Sequence, residues 1–301
     1  MKRRVAIIET AFNPDPERHF RALEAAVREA RSDGATLALL PELAFLPYFC
    51  QHTSREPFGW AEPLDGPSVA RLSDWARTYG LVIVTTIFER RTAGLYHNTA
   101  VVLEADGSLA GLYRKMHIPD DPGYCEKYYF TPGDLGFVPI ETSAGRLGVL
   151  VCWDQWFPEA ARLMALAGAE LLLYPTAIGW NPEDAPSTRN QELEAWLTIQ
   201  RAHAIANGCP VLSANRRGRE SDPSGHTPGI EFWGHGFVAG AMGEYLLEPR
   251  STPFETACAD VDDLEMERTR QAWPFLRDRR IDAYANLLTR ALDPEAQAPE
   301  T

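Results

Sequence analysis

Residues 148–162 read GVLVCWDQWFPEAAR: four small or apolar residues, a cysteine, a short aromatic and acidic stretch, then Pro158 and Glu159 in the manner of a helix start. Residues 148–151 suit a buried strand, and the helix that follows extends to about 167, where Gly168 supplies a stop. Strand feeding helix is the repeating unit of an α/β fold, and it leaves Cys152 at the turn between them. Side chains at such turns commonly face a site. The thiol is therefore a candidate nucleophile, provided a base and an oxyanion partner come from elsewhere; alone it reads equally well as a buried structural thiol.

Working outward, the same alternation recurs on both sides. Residues 4–9 read as a strand, and Asp15, Pro16 and Glu17 supply a cap, a first-turn proline and a first-turn acid for a helix. Phe20, Leu23, Val27 and Ala30 share its apolar face, Gly34 ends it, and 36–40 forms a short buried strand. A helix at 68–79 precedes strands at 81–88, 97–104 and 111–115, with the hairpin turn Ala105-Asp106-Gly107-Ser108 between the last two. Beyond them come strands at 138–141 and 147–152, the helix at 158–167, a strand at 171–174, a helix at 192–206 and a strand at 211–215. Residues 237–239 and 245–247 flank the turn 240–243. No repeat of fixed period is visible, but two similar halves of strands and helices can stack their sheets. The expectation is one domain over 1–292 ending in a C-terminal arm, with a disordered tail at 293–301.

A chain of 301 residues with 45% hydrophobic content can bury a large core. Its net charge of -13 argues against nucleic acid as a partner and favours a cationic small substrate, although an acidic surface also serves simple solubility. The N-terminal MKRRVAIIETAF carries too short an apolar run for a secretory signal, and no segment approaches membrane-spanning length. Cys50, Cys125, Cys152, Cys209 and Cys258 are odd in number and scattered, with no CxxC pair. That usage fits a reduced cytoplasm.

Two other residues share the placement of Cys152. Glu42, in LLPELAF, follows a buried strand at a sheet edge, and Pro41 fixes the turn that presents it. Lys115 ends the strand GLYRK and enters the loop MHIPDDPGYCEKYYF. Singly, each reads as a solvated charge. Jointly, all three stand at carboxyl ends of strands, where open α/β sheets place their ligands. A carboxylate can accept the thiol proton, a thiolate can attack a carbonyl, and an ammonium can stabilise the oxyanion.

At these residues the chain resembles the nitrilase, or carbon-nitrogen hydrolase, superfamily, whose members use a Glu, Lys and Cys triad. LLPELAF, YRKMHIPD and GVLVCWDQWFPEAAR stand in the family's order. In YCEKYYFTPGD, the resemblance makes Glu126 a second glutamate that positions the lysine. The likeness is closer to one branch, the N-carbamoylputrescine amidohydrolases, through MHIPDDPGYCEKYYFTPGD, CWDQWFPEAARLMALAGAE, YPTAIG and RQAWPFLRDRRIDAY. It implies a four-layer α-β-β-α sandwich, no cofactor and no metal, and homo-oligomers. It also implies an oxyanion held by Lys115 and the backbone N–H of Trp153, and places Thr176 and Ala177 of YPTAIG at the substrate. The chain departs from the branch pattern in WNPEDAPSTRNQELEAW, in 220–231, and at Gly236, where a serine is expected before Phe237.

The implied substrate is N-carbamoylputrescine; the alternatives are another carbamoyl or ω-amide compound, a noncatalytic binding role, or a nitrile. Tyr48, Tyr124, Trp153, Trp156 and Trp180 lie in loops near the motifs, and with Glu183 or Asp184 they would suit an alkyl ammonium tail. Each aromatic taken singly reads as core. His117 invites a thiol-protease reading, though a loop histidine with a backbone contact accounts for it. His203, His226 and His235 match no metal spacing, and Asp154 is expected to bond the backbone of the cysteine turn.

Overall fold

The computed structural model describes residues 2–222 and 224–292; the tail expected at 293–301 lies outside them. In chain order the elements are β1 (Lys2–Ile8), α1 (Pro16–Ser32), β2 (Leu37–Leu39), α2 (Pro67–Tyr79), β3 (Val82–Thr92), β4 (Leu95–Leu103), β5 (Leu109–Arg114), β6 (Ile140–Thr142) and β7 (Gly145–Val149). There follow α3 (Pro158–Leu166), β8 (Leu171–Thr176), β9 (Gly179–Trp180), α4 (Pro186–Asn207), β10 (Val211–Asn215), β11 (Arg217–Glu220), β12 (Ile230–Trp233), β13 (Phe237–Ala239), β14 (Tyr245–Leu247), β15 (Thr256–Asp262) and α5 (Asp263–Ala272).

Two six-stranded sheets form, in the orders β15-β1-β2-β3-β4-β5 and β14-β13-β10-β8-β7-β6. In each, three parallel strands form the centre and antiparallel strands flank them. Alternation along the strands assigns the layers. Val5 and Ile7, Leu37 and Leu39, and Val82 and Val84 pack in one core with Leu147, Val149, Leu171 and Leu173 of the other sheet. Their neighbours Ala6, Ile8, Ala38 and Ile83 pack with Leu23 and Val27 of α1 and Leu72 and Trp75 of α2. Strands covered on both faces read as continuous apolar runs, which is why the central ones were legible. The result is the α-β-β-α sandwich.

Helix starts follow the local chemistry. Asp15 Oδ1 accepts from the N–H groups of Glu17 and Arg18 at 3.0 and 3.1 Å, with Pro16 in the first turn. The hairpin at 105–108 closes with Glu104 N–H on the Ser108 carbonyl at 2.8 Å, and Gly107 takes φ +86°.

Several boundaries differ from expectation. The strand at 147–152 stops at Val149 because residues Cys152–Trp156 form a 3-10 turn. The strand at 138–141 starts at Ile140, and Val138 is 63% exposed. Helix α4 begins at Pro186, six residues before the first position read as helical, because its first turns are polar and carry no apolar period. The short sheet β11-β12-β9, together with β15 and α5, was not read from sequence at all. Among the described residues no helix is long and apolar enough to cross a membrane.

Candidate active site

Glu42 leaves the carboxyl end of β2, Lys115 the end of β5 and Cys152 the end of β7. β2 is interior to its sheet, so Glu42 stands at the end of a central strand rather than on an edge strand. Both charged side chains are fully buried, against the solvated reading that each permits alone, and Cys152 is 4% exposed. Among the described residues only Leu43, Cys152 and His235 have positive φ without being glycine. Two of these three are the cysteine and the neighbour of Glu42, and such backbone costs roughly 1–3 kcal/mol each, held by surrounding structure.

Lys115 Nζ donates to Glu42 Oε1 at 2.8 Å and to Glu126 Oε2 at 2.6 Å. Asn98 Nδ2 donates to the same Glu42 oxygen at 2.6 Å, and the Tyr48 hydroxyl donates to Glu126 Oε1 at 2.8 Å. Glu42 Oε2 is buried with no hydrogen-bond partner among the described residues. The Cys152 thiol lies 3.7 Å from the Ala177 carbonyl. One ammonium thus serves two buried carboxylates beside a thiol.

Burial lowers the Lys115 pKa, but Glu126 and Glu42 more than offset it and hold the ammonium well above the ordinary lysine range. Burial raises Glu126, Lys115 opposes and Glu42 reinforces, leaving this carboxyl at about 7. Burial and then Glu42 push the Cys152 thiol well above its usual range against the pull of Lys115. The resting sulfur is therefore a protonated thiol that needs an adjacent base.

Tyr48 packs against Tyr124 with ring centroids 5.6 Å apart. The Tyr124 hydroxyl accepts from Gly179 N–H at 2.9 Å, two residues past Ala177. Trp153 and Trp156 are half-buried with centroids 6.5 Å apart. The Thr176 carbonyl accepts from Glu42 N–H at 3.3 Å, while its hydroxyl bonds to the Tyr174 carbonyl at 3.1 Å. Tyr48 and Tyr124 thus stand beside the glutamates and the Ala177 carbonyl beside the sulfur, while Trp153 and Trp156 follow Cys152 in its own turn and the Thr176 hydroxyl faces Tyr174 and Gln155. Glu183 is not drawn into this cluster: it stands exposed after β9, its N–H on Asn181 Oδ1. Trp180 packs against Trp233 instead, 5.6 Å away.

His117 contacts the Asp154 carboxylate at 2.7 Å rather than backbone, and Asp154 bonds the turn at Val151 N–H as expected, at 2.8 Å. His203, His226 and His235, weighed from sequence as a metal set, have separate partners: His203 lies on the Tyr174 hydroxyl, His226 on Ser224 and His235 on the Trp233 carbonyl. At Gly236, where the family pattern called for serine, an added Cβ would lie 2.5 Å from Glu9 Oε1 and 2.8 Å from the Ser213 carbonyl. Buried Glu9 accepts from Gly236 N–H and fills that space.

Sequence reading missed Asn98, Arg216 and Glu220. Buried Arg216 donates to the carbonyls of Glu42, Leu43 and Leu46 at 3.2, 2.9 and 3.0 Å, and pairs with Glu220 at 2.6 Å. Glu220 accepts from Tyr48 N–H at 2.8 Å. The loop carrying Glu42 and Tyr48 is thereby held by its backbone. The available signal was polar residues, such as His97-Asn98-Thr99, inside otherwise apolar strands.

Comparison with known proteins identifies the family. A model of the carbon-nitrogen hydrolase family matches residues 4–271. An N-carbamoylputrescine amidase of Arabidopsis thaliana is 41% identical over 287 residues, 95% of each chain. A citrullinase of Francisella tularensis is 37% identical over 286 residues, 95% of this chain and 98% of that one. The crystal structure of a carbon-nitrogen hydrolase from Helicobacter pylori superposes with a TM-score of 0.94 at 47% identity, covering 97% of this chain and 100% of the other. A match of this extent places the chain in the carbon-nitrogen hydrolase family, the nitrilase superfamily, as a hydrolytic enzyme.

Proposed function

We propose that this enzyme is a thiol amidohydrolase that cleaves N-carbamoylputrescine to putrescine, carbon dioxide and ammonia, a step of polyamine biosynthesis. The observation that carries the reading is the Lys115 ammonium held between Glu42 and Glu126 beside the Cys152 thiol. Glu42 takes the thiol proton as the sulfur attacks the carbamoyl carbon. Lys115 and the Trp153 N–H receive the oxyanion, each such donor being worth roughly 3 kcal/mol of barrier. The proton passes to the departing nitrogen, and Glu42 then deprotonates the water that releases the thioester-like intermediate as a carbamic acid, which breaks its remaining C–N bond to give carbon dioxide and the second amine. Glu126 orients Lys115, and overall one water is consumed.

For the substrate tail, Tyr48, Tyr124, Trp153, Trp156, Thr176 and Ala177 are the candidate near wall, whereas Glu183 stands outside it and is not assigned the distant amine. A cationic tail suits an aromatic wall in a chain of net charge -13. The likeness to a citrullinase supports a second reading, a different carbamoyl-bearing tail in the same site. Ammonia release from N-carbamoylputrescine, citrulline, N-carbamoyl-β-alanine and simple ω-amides discriminates them. Absence of turnover with the cationic carbamoyl compound refutes the first reading.

Residues 1–292 are read as one domain with an arm, working in the cytoplasm as a homo-oligomer. The five cysteines, all unpaired, suit that compartment. Exposed Leu163 and Leu166 on α3, with Ile281, Leu287 and Leu288 on the arm, offer apolar surface to a second copy. Light scattering on the purified protein tests it, and a monomer at all concentrations refutes it.

A further inference from the structure

Asp154 lies two residues past Cys152, fully buried, and each of its oxygens accepts twice. Oδ2 takes Val151 N–H at 2.8 Å and the Tyr113 hydroxyl at 2.9 Å. Oδ1 takes His117 N–H at 3.0 Å and lies 2.7 Å from His117 Nδ1. Val151 immediately precedes the strained cysteine. Tyr113 and His117 stand two residues before and two residues after Lys115. The His117 ring also stacks on Phe157, which closes the same turn, at 3.7 Å and 5°. One carboxylate therefore joins the segment that presents the sulfur to both sides of the residue that presents the ammonium.

We infer that Asp154 is a positioning residue that sets the separation of the Cys152 sulfur from the Lys115 ammonium by clamping the cysteine turn to the chain on either side of Lys115. The inference rests on the reading in which Cys152 attacks and Lys115 receives the oxyanion. Cys152 stands at φ +43°, a conformation that costs energy and is kept only by bonds around it. Tyr113 is well suited as a permanent donor, because burial and then Asp154 raise its hydroxyl well above the ordinary tyrosine range.

The decisive variant is Asp154→Asn in the full chain. A carboxamide keeps one acceptor oxygen but turns an NH2 toward two of the four donors, so one of the two segments comes loose at little change in volume. Three quantities are measured: kcat and KM, the rate of Cys152 alkylation by iodoacetamide against pH, and the melting temperature. A misplacement on the order of 1 Å predicts a kcat reduced about 100-fold. KM should stay within about threefold, since the loss falls on the transition state rather than on substrate binding. The alkylation profile should move to higher pH, because the thiol loses the opposing influence of Lys115.

Wild-type kcat and a wild-type alkylation profile in a protein that merely melts earlier would overturn the inference, leaving Asp154 a purely structural group. Should Asp154→Asn fail to fold, Tyr113→Phe and His117→Ala each remove one side-chain donor. Each should lower kcat roughly fivefold at constant KM; wild-type kcat in both overturns the proposal. If none of the carbamoyl or amide substrates is turned over, the functional reading fails separately. The alkylation profile then decides alone: a shift in Asp154→Asn supports the clamp, and an unmoved profile refutes it.

Discussion

Arg114 and Lys115 are consecutive, both buried, and both paired with glutamates, yet alternation at the end of β5 sends them to different fates. Arg114 meets Glu89 as a fork, two bonds of 2.7 Å, with Asp134 at 3.2 Å and Thr99 closing the remaining demand of Glu89 at 2.5 Å. Burial alone would raise Glu89, but the Arg114 and Thr99 bonds outweigh it and hold the carboxyl below its usual range. Lys115 instead divides one charge between Glu42 and Glu126, beside a thiol that remains protonated. A matched planar fork saturates its partner and stabilises the fold; a compact ammonium between two acids leaves acceptor capacity for a reaction. Burial does not distinguish the two clusters. Stoichiometry does.

The largest expected effect therefore comes from Lys115→Met. Removing an oxyanion donor should lower kcat about 100- to 1,000-fold. Two buried carboxylates left without their cation should also cost about 4 kcal/mol of stability. Ammonia release and calorimetric melting measure the two parts. Lost stability with full turnover would make Lys115 a structural ion like its neighbour and erase the contrast.

Glu126→Gln comes next. The amide still accepts from Tyr48 but no longer pairs with Lys115, and a roughly 30-fold lower kcat follows from a misaligned ammonium. In the native protein Glu126 lies at about 7, above its ordinary 4.5. The proton it retains on folding favours the native state fully below about 4.5, and that advantage disappears as pH rises through about 7. The activity limb belonging to this group should thus run upward with pH near 7 as the Lys115 pair forms. A pH–rate profile of Glu126→Gln in which that limb persists would assign it to another group.

Arg114→Lys should show the opposite signature. Replacing the fork by a point charge gives up about 2 kcal/mol. That corresponds to a melting temperature lower by about 4 °C. The kcat of the folded protein should stay within about twofold. A tenfold drop in kcat would mean that the two clusters act as one.

How much of this was legible follows from distance along the chain. Glu42, Lys115 and Cys152 each end an apolar strand, so local pattern exposed them, and their order completed the set. Asn98 and Arg216 bind that set from elsewhere: Arg216 reaches carbonyls 170 or more positions away, and nothing in NRRGRE announces that reach. β9 is two residues long and β11 reads RGRE, so neither carries an apolar period. The start of α4 escaped for the same reason, and Gly236 became intelligible only when Glu9 was found occupying the space of a side chain.

Glu9 provides the smallest and most discriminating test, because it is a buried acid that resembles neither cluster. Its side chain accepts from the Gly236 N–H, while the nearby Arg217 guanidinium bonds to its backbone carbonyl. Burial raises it to about 8, with Gly236 and then Arg217 pulling the other way. Because its ordinary value is 4.5, folding binds a proton between about 4.5 and about 8; the resulting stability is complete below that window and is lost as pH rises through its upper end. Glu9→Gln keeps the acceptor for Gly236 and removes the titration. The variant should match the wild type in melting temperature at pH 5 and exceed it by about 2–4 °C at pH 9. Its kcat at neutral pH should be unchanged, since Glu9 touches none of Glu42, Lys115, Glu126 or Cys152. An equal melting temperature at both pH values would mean that Glu9 is ionised in the folded protein and that Arg217, not a proton, balances it.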